Sequence, residues 1–135
     1  MWWIKTKSEP VQLTMEQLWG EGEMDMIDMS NMDDLDRVLF INVLAEQIHE
    51  IAKSKGFYDE PVSFPQAIAL MHSELSEALE AHREGEPAER VAEELADTII
   101  RILDTACYAN LNVGRALVMK MEKNKAREHK HGKRY

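Results

Sequence analysis

The fold is decided by residues 68–103, which read IALMHSELSEALEAHREGEPAERVAEELADTIIRIL. Apolar side chains recur every three or four residues on both sides of a single interruption at residues 85–87, Gly-Glu-Pro. They are Ile68, Met71, Leu75, Ala78 and Leu79 before it, and Val91, Leu95, Ile99, Ile102 and Leu103 after it. This spacing is typical of one face of a helix. Because the interruption is short, it predicts that two helices lie antiparallel.

The rest of the chain extends the same pattern. Helices are predicted over residues 33–55, about 65–84, 88–109 and 113–128. Ser30 or Asn31 is the expected cap of the first helix and Asn112 that of the fourth. No useful length of sequence alternates with the period of two that strands require. The sequence therefore predicts an all-α antiparallel bundle of four main helices. Residues 33–135 form this domain with its basic C-terminal tail, and residues 1–32 form an irregular N-terminal arm.

Composition argues against several classes of protein. The 135 residues include 16 Lys and Arg against 25 Asp and Glu, a net charge of -9, whereas proteins that coat nucleic acid need positive potential. A single cysteine, Cys107, excludes an internal disulfide and a four-cysteine zinc site. No apolar run reaches the roughly 18 residues of a membrane helix, and the first residues lack the apolar stretch of a signal peptide. We expect a soluble, cytoplasmic protein with no membrane partner and no stable nucleic-acid partner.

Charge is distributed unevenly along the chain. Residues 115–135 contain eight basic and two acidic residues, whereas residues 1–114 contain eight basic and 23 acidic ones. The two regions are either solvated faces that happen to differ, or two halves of one site. In the second case carboxylates would bind a metal ion and cations would bind phosphate. Composition does not decide between these interpretations.

Two pairs of acidic residues lie in the stretch that decides the fold. Glu74 and Glu77 are three residues apart, as are Glu94 and Asp97, which places each pair on one helical face with Cβ atoms roughly 5–6 Å apart. Because the break between the helices is short, the two acidic pairs are expected at similar positions along the axes of the antiparallel helices. Solvated surface is the usual place of acidic side chains, but residues 91–100 are apolar on most sides. A hard divalent cation, magnesium or manganese, would remove the repulsion among such oxygen ligands.

A polar stripe is predicted on the fourth helix. Lys120, Asn124 and Arg127 are spaced four and three residues apart and share one helical face. A lysine charge beside an arginine fork suits a polyphosphate.

Other conspicuous residues have two interpretations each. Asn42, Gln47 and Phe57 are candidates for contacts to a nucleobase, although structural hydrogen bonding and packing explain them equally well. Asp104 is either a neighbour of the acidic pairs or the partner of a cation on its own or another helix. Cys107 lies on an apolar helix and is expected in the core rather than as a nucleophile.

Three segments together resemble one known family. Residues 72–81 (HSELSEALEA) and 93–97 (EELAD) are similar to the paired acidic signature of the MazG-like nucleoside triphosphate pyrophosphohydrolases. Residues 120–127 (KMEKNKAR), followed by 131–133 (HGK), resemble the downstream basic segment of that family. The resemblance covers roughly residues 35–134 and leaves the N-terminal arm outside it. It implies the all-α pyrophosphatase fold of this superfamily, which also contains dimeric dUTPases, dCTP pyrophosphatases and phosphoribosyl-ATP pyrophosphatases.

The resemblance also implies roles for individual residues. It implies magnesium ligands, with manganese as a substitute, at Glu74, Glu77, Glu94 and Asp97. It implies contacts to phosphate or sugar from Lys120, Asn124 and Arg127. Glu77 is in addition our candidate for the group that orients or deprotonates the attacking water.

The expected function is magnesium-dependent hydrolysis of nucleoside triphosphates between the α and β phosphates, yielding a monophosphate and pyrophosphate. Such an enzyme would clean or balance the nucleotide pool. The alternatives are a non-catalytic helical interaction module or, within the same superfamily, a phosphoribosyl-ATP pyrophosphatase or a dimeric dUTPase or dCTPase. Four helices with broad apolar faces exceed what so small a domain buries alone, so we expect a homodimer or homotetramer.

Overall fold

The computed structural model describes residues 32–128, within which the chain forms four helices and no strand. They are α1 (Asp34–Ser54), α2 (Phe64–Arg83), α3 (Ala88–Tyr108) and α4 (Val113–Lys125). The all-α prediction is confirmed, and each helix lies close to its predicted limits. The chain divides into two units, Met1–Asn31 and Met32–Tyr135. Apart from Met32, the predicted N-terminal arm lies outside the described residues.

The N-cap of the first helix lies later in the sequence than predicted. Asp33 is the N-cap: its carboxylate accepts a hydrogen bond from the backbone N–H of Asp36 at 2.8 Å. The carboxylate of Asp36 in turn accepts from the N–H of Asp33 at 3.4 Å, which completes a reciprocal capping box. The prediction of Ser30 or Asn31 was wrong because an aspartate pair three residues apart satisfies two backbone donors, whereas either single residue would satisfy one.

Three helix pairs pack against each other: α2 with α3, α1 with α3, and α1 with α4. The connection between α2 and α3 turns at Gly85, whose φ of 72° lies in the left-handed region that favours glycine. This tight connection makes α2 and α3 neighbours, so the acidic pairs of both helices are brought into one region.

The fourth helix approaches the first very closely at Gly114. A Cβ atom there would lie 2.6 Å from Oδ1 of Asn42 and 2.7 Å from the carbonyl oxygen of Val38. Oδ1 of Asn42 accepts the backbone N–H of Gly114 at 3.1 Å, and its Nδ2 donates to Oδ1 of Asn112 at 2.9 Å. Asn112 also caps α4 as predicted, by accepting the N–H of Arg115 at 2.9 Å. Asn42 therefore has the structural role of joining α4 to α1.

The buried side chains are mostly small. The buried apolar residues are Ala45, Ala78, Ala81, Leu103, Ala106 and Val118. The buried polar residues are Glu74, Glu94, Thr98 and Thr105. Alanine and threonine allow the helices to approach closely, and the two glutamates lie between them.

Many of the larger apolar side chains remain exposed in the single chain. On α2 and α3 they include Leu75, Leu79, Leu95 and Ile99. On α4, Leu117 and Met121 are half exposed and Val118 is buried. Helical periodicity identifies an apolar face but does not identify what covers it. Despite these apolar faces, no helix in the described part of the chain is long and apolar enough to cross a membrane.

Candidate metal centre

Three carboxylates converge between α2 and α3. One carboxylate oxygen from each of Glu74, Glu94 and Asp97 lies within 4.8 Å of the others. Glu74 is 8% exposed and Glu94 only 2% exposed, whereas Asp97 is open to solvent. The prediction that acids of the two helices meet is confirmed for these three residues.

The local sequence explains how two acids become buried. On α2, Ala78 and Ala81 follow Glu74 at four and seven residues, so the glutamate shares its face with small buried side chains. On α3, Thr98 follows Glu94 at four residues and donates its hydroxyl to the Glu94 carbonyl oxygen at 3.1 Å. Small side chains on both faces allow the two backbones to come close, and the longer glutamates then share the space between them.

Each buried glutamate is paired with an arginine. Nε of Arg101 lies 2.5 Å from Oε1 of Glu74, and Arg90 forms an ion pair with Oε1 of Glu94. Arg90 also contacts Glu93 at 3.1 Å. The hydrogen bond that Arg90 donates to Glu93, followed by the charge of Glu94, raises the pKa of Arg90. Burial of an unpaired carboxylate is costly, so these pairs offset part of the cost of burying Glu74 and Glu94.

The cluster has the chemistry of a site for a hard divalent cation. Its donors are carboxylate oxygens alone, which suits magnesium or manganese rather than softer metals. The arginine contacts engage one oxygen of each buried glutamate, Oε1. Three carboxylates lie beside two guanidinium groups, and Arg90 also contacts Glu93, so the cluster keeps net negative charge. The residues present therefore fit a bound Mg²⁺.

Glu77 lies apart from this group. It is exposed on α2, one turn after Glu74, and is not among the residues whose oxygens converge. Its roles as a ligand and as the group that orients water stay predictions.

A pocket of about 390 Å³ opens beside the cluster. Glu74 and Asp97 contribute to its polar wall. Its apolar wall comes from α2, α3 and the connection between α1 and α2, through Phe57, Val62, Leu70 and Ile100. Of the residues considered for base contacts, Phe57 therefore lines the pocket, whereas Asn42 and Gln47 do not. The carboxylates thus face a space that is apolar on one side and charged on the other.

The predicted phosphate-binding stripe is located elsewhere in the chain. Lys120, Asn124 and Arg127 are exposed; the first two lie on α4, which packs on α1, and Arg127 follows the end of that helix. None of the three lines the pocket beside the carboxylates. Their contact with phosphate or sugar stays a prediction.

Asp104 organises a polar network on another side of the pocket. It accepts a hydrogen bond from the hydroxyl of Tyr58 at 2.7 Å, and its other oxygen lies 2.7 Å from Nδ1 of His49. The rings of His49 and Tyr58 lie edge to face, with centroids 4.6 Å apart. Asp104 thus pairs with α1 and the loop that follows it, whereas Arg101 pairs with α2. The network fixes the loop that carries Phe57 into the pocket wall.

This network predicts a loss of stability at alkaline pH. Burial, followed by the hydrogen bond to Asp104, raises the pKa of Tyr58 well above its usual value of 10.0. Because the folded-state pKa is the higher one, this contribution is fully present below about pH 10 and is lost as the pH rises through the folded-state value. The melting temperature of the wild-type protein should therefore fall more steeply above about pH 10 than that of Tyr58→Phe. Equal slopes in thermal unfolding measured across this range would contradict the assignment.

Cys107 behaves as expected of a structural residue. It lies half buried on α3. Burial, followed by the charge of Glu46, raises the pKa of its thiol. Since the thiolate is the nucleophilic form, the structure favours the packing interpretation.

Comparisons with known proteins identify no relative of this chain. No protein-family model, no curated protein and no solved structure matches this chain. The likeness to MazG-like pyrophosphohydrolases is therefore carried by the motifs quoted above.

Sequence reasoning missed the two arginines of the cluster. Arg90 precedes Glu94 by four residues, and Arg101 follows Asp97 by four residues, so both lie on the acidic face of α3. That spacing is visible in the sequence and was the available signal. The partner of Arg101 on α2 is not visible there, since it depends on how the two helices are rotated against each other.

Proposed function

We propose that this protein is a magnesium-dependent nucleoside triphosphate pyrophosphohydrolase that releases a nucleoside monophosphate and pyrophosphate. The observation that carries the proposal is the convergence of Glu74, Glu94 and Asp97, beside a pocket of about 390 Å³ that Glu74 and Asp97 line. Two of the three carboxylates are buried, which distinguishes them from ordinary surface acids. The motif resemblance supplies the reaction class.

The residues of the carboxylate cluster and of the pocket would have different roles in such a reaction. Glu74, Glu94 and Asp97 would hold the magnesium ion. When bound, this ion supplies positive charge for the oxygens of the phosphates. The apolar wall around Phe57 can accept the flat face of a base and exclude water. Glu77, one turn from Glu74, is proposed to orient the attacking water, whose oxygen bonds to phosphorus as the α–β bridge breaks and pyrophosphate leaves. Catalysis of this kind depends mainly on positioning and electrostatic stabilisation, without a covalent protein nucleophile.

A product assay tests the proposal directly. The common ribo- and deoxyribonucleoside triphosphates are incubated with the protein in Mg²⁺, and the products are separated by chromatography. We expect monophosphate and pyrophosphate in equal amounts from at least one nucleotide, and no product after EDTA is added. Release of inorganic phosphate, or turnover that EDTA does not stop, would contradict the proposal. The preferred nucleotide also distinguishes a broad pyrophosphohydrolase from a dUTPase or dCTPase, and phosphoribosyl-ATP is included as a further substrate.

We also propose that the protein works in the cytoplasm as a homodimer or homotetramer. Apolar residues on neighbouring faces of α2 and α3 support an assembly. Ile99 is 56% exposed and Leu75 is 45% exposed. An apolar groove is lined by Ile68 and Met71 of α2 and by Ile102 of α3. Exposed apolar surface of this kind is typical of a protein interface.

The same exposed faces favour the second candidate function, a non-catalytic interaction module. The two candidates differ in their response to magnesium. An enzyme that binds Mg²⁺ and a non-hydrolysable triphosphate is stabilised by mass action, and its melting temperature rises with their concentration. An interaction module with surface acids would show no such rise.

A further inference from the structure

We propose that Arg101 binds a phosphate group of the substrate, and that its ion pair with Glu74 opens when cation and substrate enter the pocket. This inference rests on the proposed function. It assigns a binding role to a residue that neither the motifs nor the predicted basic stripe include. The inference is supported by the position of Arg101 at the pocket, by its ion pair with Glu74 and by the charge of the pocket wall.

Arg101 lies where the phosphates of a nucleotide would have to be. It lines the pocket together with Glu74 and Asp97, and it follows Asp97 by one helical turn on α3. Its side chain is 37% exposed, so a ligand can reach it from the pocket. A phosphate held beside the carboxylate cluster would therefore lie next to the guanidinium group.

The net negative charge of the pocket wall makes a cationic contact important for binding phosphate. Among the described residues that line it, Glu74, Asp97 and Asp104 are acidic, and Arg101 is the one cationic side chain. A polyphosphate would meet net negative charge on this wall. Lys120 and Arg127, the cations expected from the sequence, do not line it. Arg101 is therefore the group of this pocket that can offer charge-assisted donors to phosphate oxygens.

The contact with Glu74 leaves most of the guanidinium donors for a ligand. The ion pair with Glu74 uses Nε of Arg101, and the two terminal nitrogens carry four of the five N–H donors of an arginine. A cation bound by Glu74 would share the charge of its carboxylate and so weaken the attraction for Arg101. The guanidinium group can then turn towards a phosphate oxygen without leaving a buried acid unpaired.

Arg90 provides the internal comparison. It also pairs with a buried glutamate of the cluster, Glu94, but it does not line the pocket. If both arginines merely neutralised the acids, then removal of either charge would have the same effect on ligand binding. A phosphate-binding role predicts the larger effect at Arg101.

The experiment measures binding of inorganic tripolyphosphate in Mg²⁺ to the full chain by isothermal titration calorimetry. The probe contains the phosphates of every nucleotide and no base. Arg101→Gln should raise the dissociation constant of tripolyphosphate by about tenfold or more, the loss of affinity expected for hydrogen bonds between charged groups. Arg90→Gln removes the same charge from the carboxylate cluster but not from the pocket, so it should weaken binding clearly less than Arg101→Gln does. Thermal unfolding confirms that both variants are folded.

A second titration separates phosphate binding from damage to the carboxylate cluster. Mn²⁺ alone should bind Arg101→Gln at least as tightly as the wild type, because a competing cation has been removed. If Arg101→Gln binds tripolyphosphate as the wild type does, or if both variants weaken equally, the inference is wrong while the proposed function stands. If the wild-type protein binds neither Mn²⁺ nor tripolyphosphate, the proposed function fails and the inference fails with it.

Discussion

Replacement of Asp97 by asparagine should reduce monophosphate release by about a thousandfold, a loss of several kcal/mol of transition-state stabilisation. Asp97 is the exposed member of the carboxylate cluster, so the substitution removes a charge without disturbing the buried part of α3. Asparagine keeps the shape of the side chain but offers a neutral oxygen. The initial rate of monophosphate release, measured with the nucleotide that the product assay identifies, gives the effect.

The neighbouring acid Glu93 provides the matched control. It lies on the same helix and contacts Arg90, but it is exposed and outside the carboxylate cluster. Glu93→Gln should therefore keep its activity within about twofold, since it removes the same charge from a surface position. Circular dichroism should show both variants to be helical. Full activity in Asp97→Asn would show that the carboxylate cluster is not required for catalysis.

A charge placed on the apolar face of α2 and α3 should dissociate the oligomer. Ile99 is among the most exposed apolar residues of α3, and Ile99→Glu would place an unpaired carboxylate in the proposed interface. Burial of such a charge costs about 3–5 kcal/mol, so the dissociation constant should rise at least about a hundredfold. Sedimentation or light scattering over a range of concentrations measures the change from oligomer to monomer.

Ser73→Glu is the control for this experiment. Ser73 is exposed on α2 and points about 160° away from Leu75 on a regular helix, so the added charge should stay in solvent. It should leave the oligomer intact. A wild-type protein that is monomeric at all concentrations, or an Ile99→Glu variant that assembles as before, would contradict the proposed interface.

The sequence predicts the helices well because their signals are local. Apolar periodicity, Gly85 and the cap at Asn112 each act within a few residues, and α1 to α4 follow them. The N-cap of α1 was missed because Asp33 and Asp36 cap it reciprocally, a better solution than the single polar residues upstream. Boundaries depend on such small differences between competing caps.

The site was predictable in part for the same reason. The spacing of Glu94 and Asp97 and the short connection to α2 place acids of both helices together. The ion pair between Arg101 and Glu74 depends on the relative rotation of two helices, which spacing within one helix does not encode. The exposure of Ile99 in particular could not be predicted, because periodicity marks an apolar face whether that face meets the core of the same chain or another molecule.

The most direct test is a crystal structure of the protein with Mn²⁺ and an α,β-methylene nucleoside triphosphate, whose α–β bridge resists hydrolysis. We expect an anomalous scattering peak between Glu74, Glu94 and Asp97, with oxygens at about 2.1 Å, the distance typical of magnesium sites. We also expect the phosphates to lie beside Arg101. A structure with the nucleotide bound elsewhere, no anomalous peak at these carboxylates and both arginine pairs intact would contradict the central claim.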